Sequence, residues 1–452
     1  MSIKNTLDKY SKSNMYPFHM PGHKRQLPGE YQIDMTEVDG VDDLHDPESV
    51  IAEDQKRMAK LYGAEESYFL VGGSTVGNLS AIYASCEEED LILIQRNSHK
   101  SVYNGVTLRH LRVGYIYPTL NCDGIFEAVT LNQIIDAVEN NDKPKAIVIT
   151  SPTYEGYHCK IKEIADYCHD NKIILIVDQA HGAHLGFHND FKESAVGHAD
   201  IVIQSLHKTL PALTQTAAMH LSGEDVNKTR LREALDIFET SSPSYVLMYS
   251  ISQCIDMLED SGDYFEKYVE NLNGFYKKCG ELSHIKIINE SSNIKDPGKI
   301  IISTSKTNIT GVELAKILRE KYQIETELSS FSYVIAMTSI FDTREGFKRL
   351  AKALQEIDEQ IESGQINVPD IAIAPVKAME MYQAKAKSEK KVKLSNSQGM
   401  VSASMVCLYP PGAPVIVPGE EITSEALELV QKALDYKIHV TGINNGFISV
   451  VN

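Results

Sequence analysis

The sequence predicts an α/β protein, with a large domain built on a mainly parallel sheet and a smaller C-terminal α+β domain. Three observations predict this. Short runs that are apolar on both faces recur along the first 290 or so residues, as strands buried in a parallel sheet do. Between them lie stretches whose apolar residues recur at three and four, as in helices that cross over such a sheet. After about residue 290 this regular alternation gives way to a different pattern.

Taken in order, the first 60 residues contain PFHMPGHKR and DGVDDLHDP, dense in Pro, Gly, Asp and His, and read as an extended arm. Residues 61–290 read as the large domain. Its strand runs are SYFLVGG at 67–73, DLILIQ at 90–95, KAIVIT at 145–150, KIILIVD at 172–178 and DIVIQS at 200–205. Helical stretches such as VGNLSAIYASC at 76–86 and IKEIADYCHDN at 161–171 separate them. Residues 291–452 read as the smaller domain. It has a strand near KIIISTSK at 299–306, a helix near GVELAKILREKY at 311–322 and a Lys-rich helical stretch near 376–392.

Composition narrows the function classes. With 452 residues, 42% hydrophobic and 23% charged, the chain has the make-up of a folded globular protein. A formal charge of -18 argues against a nucleic-acid binder, because affinity for phosphate backbones rests on clustered Lys and Arg. The seven cysteines, at 86, 122, 159, 168, 254, 279 and 407, form no CxxC pair and read as reduced thiols. No stretch approaches the roughly 20 apolar residues of a spanning helix, and the N-terminus lacks a signal-peptide core. The expectation is a cytoplasmic protein without a membrane partner.

In open parallel sheets ligands sit beyond the carboxyl ends of the strands, so chemistry should follow the apolar runs directly. After SYFLV comes Gly72-Gly73-Ser74-Thr75 and then a helix, where hydroxyls and free backbone N–H groups meet at a positive helix end. That reads as an anion cradle, for phosphate, or else as a plain strand-to-helix turn. After KIILIV comes Asp178, a strand-end acid suited to a cationic partner such as a protonated pyridine nitrogen, or to a helix N-cap. After DIVIQ, Ser205-Leu206-His207-Lys208 places an amine at the end of a buried strand, where a lowered pKa would let it form a Schiff base. In QRNSHKSVYNG, His99 stands where its ring could stack on an aromatic cofactor. Phosphate loop, stacking ring, strand-end acid and lysine in this order are what pyridoxal phosphate (PLP), an electron sink, requires. His181, His184 and His188 in HGAHLGFH lack the helical HExxH spacing and any completing ligand, so no metal is expected.

These residues resemble the Orn/Lys/Arg decarboxylases, PLP enzymes of fold type I (aspartate-aminotransferase-like), in the short form without an N-terminal wing domain. The resemblance spans nearly the whole chain. It rests on PFHMPGHK at 17–24, DGVDDLH at 39–45, GGST at 72–75, NSHKS at 97–101, DQAHGAH at 178–184, SLHKTLPALTQTA at 205–217 and YPPGAPVIVPGE at 409–420. It implies Lys208 as the Schiff-base lysine, Asp178 against the pyridine nitrogen, His99 stacked on the ring, and Ser74, Thr75 and Ser205 around the phosphate. It also implies His207 as a proton-handling neighbour of the lysine, His181 beside the cofactor and Glu420 near the far end of the substrate. The sequence departs from the family pattern at Gly72, where Asn is frequent, at Gln179, where Glu is common, and at Met400, where Gly-Arg is usual.

The implied reaction is decarboxylation of lysine, ornithine or arginine to a diamine or agmatine, as in polyamine biosynthesis. Another PLP reaction, transamination or elimination, and a PLP-binding protein with little catalysis are the alternatives, since fold does not fix function. Family members imply a homodimer with the active site at the subunit interface.

Overall fold

The computed structural model describes residues 2–191, 194–223, 225–366, 368–369, 374–409 and 412–452. Pro410 and Pro411 of the YPPG motif lie outside them. In chain order the elements begin α1 (Ile3–Ser11), α2 (Val50–Tyr62), β1 (Glu66–Leu70), α3 (Gly73–Ser85), β2 (Leu91–Gln95), α4 (Lys100–Leu108) and β3 (Arg112–Ile116). There follow α5 (Leu131–Glu139), β4 (Ala146–Thr150), α6 (Ile161–Asp170), β5 (Ile174–Asp178), β6 (Ile201–Ser205), α7 (Leu206–Thr209) and β7 (Ala217–Leu221). Next come α8 (Lys228–Phe238), α9 (Tyr245–Leu258), α10 (Gly262–Cys279), β8 (Lys286–Ile288), β9 (Lys299–Ser303), α11 (Gly311–Tyr322), β10 (Leu328–Ser329), β11 (Tyr333–Met337) and α12 (Arg344–Asp358). The remainder is β12 (Val376–Lys377), α13 (Met381–Ala386), β13 (Glu389–Lys393), β14 (Val406–Tyr409), β15 (Ala413–Ile416), β16 (Glu420–Glu421), α14 (Ser424–Asp435), β17 (His439–Thr441) and β18 (Phe447–Val451). By its internal contacts the chain divides into Met1–Ser85 with Ile161–Glu266, and Cys86–Lys160 with Lys267–Asn452.

In the first unit, β5 and β6 pair in parallel with Asp178 opposite Ile203. Strand β7 runs antiparallel to both β6 and β1, with Ala217 opposite Ser205 on one side and Leu70 on the other. Strands β1, β5 and β6 therefore share a direction, and this register brings the ends of β1 and β6 to one edge, with the end of β5 alongside. The GGST turn, Asp178 and Ser205 all sit on that edge. Strands β5, β6 and β7 are buried at every position, which accounts for the apolar runs Ile174–Val177 and Ile201–Ile203, while β7 carries the buried His220.

The second unit contains β2 paired in parallel with β3 and β4. It also holds an antiparallel sheet in the order β10-β11-β9-β8 and three smaller antiparallel sheets among β12 to β18. The cluster of Leu394, Val406, Ile416, Ile422, Ala426, Val430, Ile448 and Val450 forms one apolar core there.

The five strand runs in the large domain and the helices at 161–171 and 311–322 appear as expected. Two expectations change. The N-terminal stretch is not wholly an extended arm, because α1 is capped by Ser2 and buries Ile3 and Leu7. Two buried residues in nine give little periodicity to read. The Lys-rich stretch near 376–392 is helical only over α13, and β13 pairs antiparallel with β18 from Glu389 to Val451. Its exposed Glu and Lys favour a helix locally, but pairing with a neighbouring strand overrides that preference.

Candidate active site

Each group on the first unit's sheet edge is held by a neighbour the fold supplies. Asp178 is only 3% exposed and accepts hydrogen bonds on both oxygens, from the Ala180 N–H at 3.1 Å and from Asn78 Nδ2 at 2.9 Å. Asn78 lies on α3 four residues after Ser74, so the helix that begins at the GGST turn also steadies the acid. Ser74 Oγ meets Ser205 Oγ at 2.7 Å, joining that turn to the end of β6. Thr75 is exposed in the first turn of α3.

Lys208 lies on the single helical turn α7, directly after β6, with Nζ 3.0 Å from His181 Nε2. His181 is buried three residues beyond Asp178. Beside the lysine, His207 donates from Nδ1 to the Thr216 carbonyl at 2.8 Å. Burial lowers the His207 pKa and the nearby Lys208 charge adds to that, while the Thr216 carbonyl opposes it. A neutral imidazole of fixed tautomer results.

In the second unit, His99 is the N-cap of α4, its Nδ1 accepting from the Ser101 N–H at 3.3 Å and contacting Ser101 Oγ at 2.8 Å. A cap bond of this kind sets the ring's orientation at a helix start. Glu420 is 2% exposed, with Oε2 accepting from Arg96 Nη2 at 3.2 Å and from the Val417 N–H at 2.9 Å. Arg96 also donates to the Tyr103 hydroxyl and to the carbonyls of Pro414 and Val415. Burial raises the Glu420 pKa, against the pull of Arg96 and the Val417 N–H.

Residues 2–295 match the family model for the Orn/Lys/Arg decarboxylase major domain, and residues 357–445 match that for its C-terminal domain. The chain belongs to the Orn/Lys/Arg decarboxylase family. The uncharacterized protein YaaO of Bacillus subtilis is 34% identical over 97% of this chain and 95% of its own length. The Bacillus subtilis arginine decarboxylase is 29% identical over 98% of this chain and 96% of its own. Among solved structures, the Francisella novicida lysine decarboxylase superposes with a TM-score of 0.86 at 21% identity, covering 100% of this chain and 81% of that one. A Sphingomonas wittichii serine palmitoyltransferase gives 0.55 at 14% identity, over 68% of this chain and 77% of that one. The large domain thus has the fold-type I architecture of PLP enzymes, with its mainly parallel sheet.

The family frame makes the three departures readable. At Gly72 a Cβ would lie 2.4 Å from Val76 Cγ2 and 3.2 Å from Glu239 Oε2, so this chain has filled with other side chains the space a larger residue would need. Gln179 is fully buried, and its Oε1 accepts from Gln204 Nε2 at 2.8 Å. Gln204 Oε1 in turn lies 3.1 Å from Nε2 of His220, whose pKa burial pushes down to about 3, and Ser67 contacts the other ring nitrogen. A neutral residue at 179 therefore belongs to a neutral buried chain. Met400 packs against the Leu394–Val450 core.

Glu420 does not cap the helix that follows it. Thr423 caps α14 by accepting from the Ala426 N–H, and Glu420 serves Arg96 instead. Among the described residues no group of His, Cys, Asp or Glu could hold a metal ion, and no helix is long and apolar enough to cross a membrane. His188 pairs with Asp190 and Glu266, and His184 packs edge-on against Phe191. Sequence reasoning passed over Asn78, Arg96 and Glu239. Asn78 had a signal, as a polar residue among the apolar positions of GNLSAIYAS; Arg96 and Glu239 had none short of the fold.

Proposed function

We propose that this chain decarboxylates a basic amino acid, with PLP carried on Lys208. The observation that carries the reading is the Lys208 amine set 3.0 Å from His181 at the end of β6, on the sheet edge that also holds Asp178 and the Ser74–Ser205 pair. The donor set fits the cofactor: an amine for its aldehyde, a buried carboxylate for its ring nitrogen, and hydroxyls at a helix start for its phosphate. When bound, PLP supplies a sink for the electron pair left behind as carbon dioxide departs.

The protein's own groups do the rest. Asp178, steadied by Asn78 and the Ala180 N–H, provides a negative charge in a dry setting, where it favours a protonated nitrogen opposite it. His181 can accept a proton from the Lys208 amine or return one, and His207, neutral and fixed by Thr216, is a second proton-handling group beside it. Ser74, Thr75 and Ser205 are assigned to the phosphate, and His99 to the face of the ring.

The substrate class follows from relatives. The Bacillus subtilis and Bacillus anthracis proteins that match over 98% and 96% of this chain are named arginine decarboxylases, which puts arginine first in the panel and lysine and ornithine next. The test is product analysis on purified protein supplied with PLP and each basic amino acid in turn. Release of carbon dioxide with agmatine, cadaverine or putrescine is the expected result. A keto acid with no carbon dioxide would mean a transaminase instead.

A further inference from the structure

The turn that leads into the phosphate cradle is held from outside by an acid at the end of α8. Glu239 is 8% exposed, and its Oε1 accepts from the Val71 N–H at 2.9 Å and the Gly72 N–H at 3.1 Å. Gln215 Nε2 donates to the Val71 carbonyl at 2.6 Å, so both polar backbone groups of residue 71 are engaged by side chains. Gly73 follows at φ 76, where only glycine turns without strain, and α3 begins. A Cβ at Gly72 would lie 2.4 Å from Val76 Cγ2 and 3.2 Å from Glu239 Oε2, so a side chain there would crowd both Val76 and the acid. His45 of the DGVDDLH motif contacts Asp236 at 2.9 Å and the Thr240 carbonyl at 2.8 Å, which fixes the chain on either side of Glu239.

We infer that Glu239 is a positioning residue for the phosphate cradle: by taking the N–H groups of Val71 and Gly72 it sets the turn that aims Ser74, Thr75 and the start of α3 at the phosphate. The inference rests on the cofactor reading given above. An acid close to a phosphate dianion would repel it if it faced the anion. Glu239 instead directs its Oε1 at the two amides ahead of the cradle.

The test compares the affinity of the protein for PLP with that for pyridoxal, which lacks the phosphate, in wild type, Glu239→Ala, Glu239→Asp and Glu239→Gln. In wild type PLP should be strongly preferred. Glu239→Ala should lose roughly tenfold or more of that preference, as both hydrogen bonds to the turn disappear. Glu239→Asp keeps the charge but falls one methylene short of both amides, so the preference should drop in the same direction. Glu239→Gln keeps an acceptor oxygen and should restore most of it. Should the alanine protein fail to fold, the aspartate and glutamine pair still decides. An unchanged preference in Glu239→Asp, or equal losses in Asp and Gln, would overturn the inference while leaving the cofactor reading intact. Wild type that binds neither compound would overturn the cofactor reading itself.

Discussion

Asp178 carries the electrostatics of the proposed site with both of its oxygens already engaged, by the Ala180 N–H and by Asn78. Replacing it with Asn keeps the shape and removes the charge that would favour a protonated pyridine. Asp178→Asn should still bind PLP, as seen in its absorbance, while kcat falls by about two orders of magnitude or more. Near-normal turnover would rule out the ring-nitrogen role. Glu420 is a different case. The sequence offered it as a reader of the substrate's distal cation, and the structure pairs it with Arg96 in the interior of its unit. Removing one partner of a buried ion pair typically costs about 3–5 kcal/mol. Glu420→Gln should therefore lower the melting temperature while the ranking of arginine, lysine and ornithine stays as in wild type. A selective loss in kcat/KM for one basic substrate at unchanged melting temperature would instead support the substrate role.

Among the elements, α3 does the most for the site, since its first turn supplies Ser74 and Thr75 and its second supplies Asn78. Gly73 starts it at φ 76, and a Cβ there would meet nothing closer than the Gln215 carbonyl at 3.5 Å. The cost of Gly73→Ala is thus backbone strain without a clash, about 1–2 kcal/mol. PLP affinity should fall, with stability lowered by about the same amount in a denaturant titration; full PLP affinity in this variant would show that the turn's conformation is not needed. The strands that frame the edge were legible because a strand buried on both faces is apolar over most of its length, as at Ile174–Val177 and Ile201–Ile203. Strand β7 was not read, because Ala217–Leu221 mixes small residues with a buried His220 whose partners, Ser67 and Gln204, become visible only once the strands are aligned. Strand β13 was misread for a related reason: Glu389–Lys393 is written in helix-forming residues, and its strand state depends on β18, more than fifty residues later. Lys208 and Asp178 could be found because each ends an apolar run. Glu239 and Arg96 could not, since each acts on a loop far from it in sequence.

For the whole molecule, the reading joins family membership, sheet topology and one lysine. The domain boundary expected near residue 290 remains a proposal, supported by the major-domain match that ends at 295. So does the homodimer. Tyr16, just before the PFHMPGHKR run, and Phe18 within it are 63% and 92% exposed, apolar surface that a second copy could cover, and light scattering should give about twice the 50.4 kDa chain mass. The most direct test of the central claim is borohydride reduction of PLP-loaded protein followed by peptide mapping. The account predicts a single reduced pyridoxyl adduct, on the peptide bearing Lys208, and none in Lys208→Ala. An adduct on another lysine in wild type, or the same labelled peptide from Lys208→Ala, would contradict it.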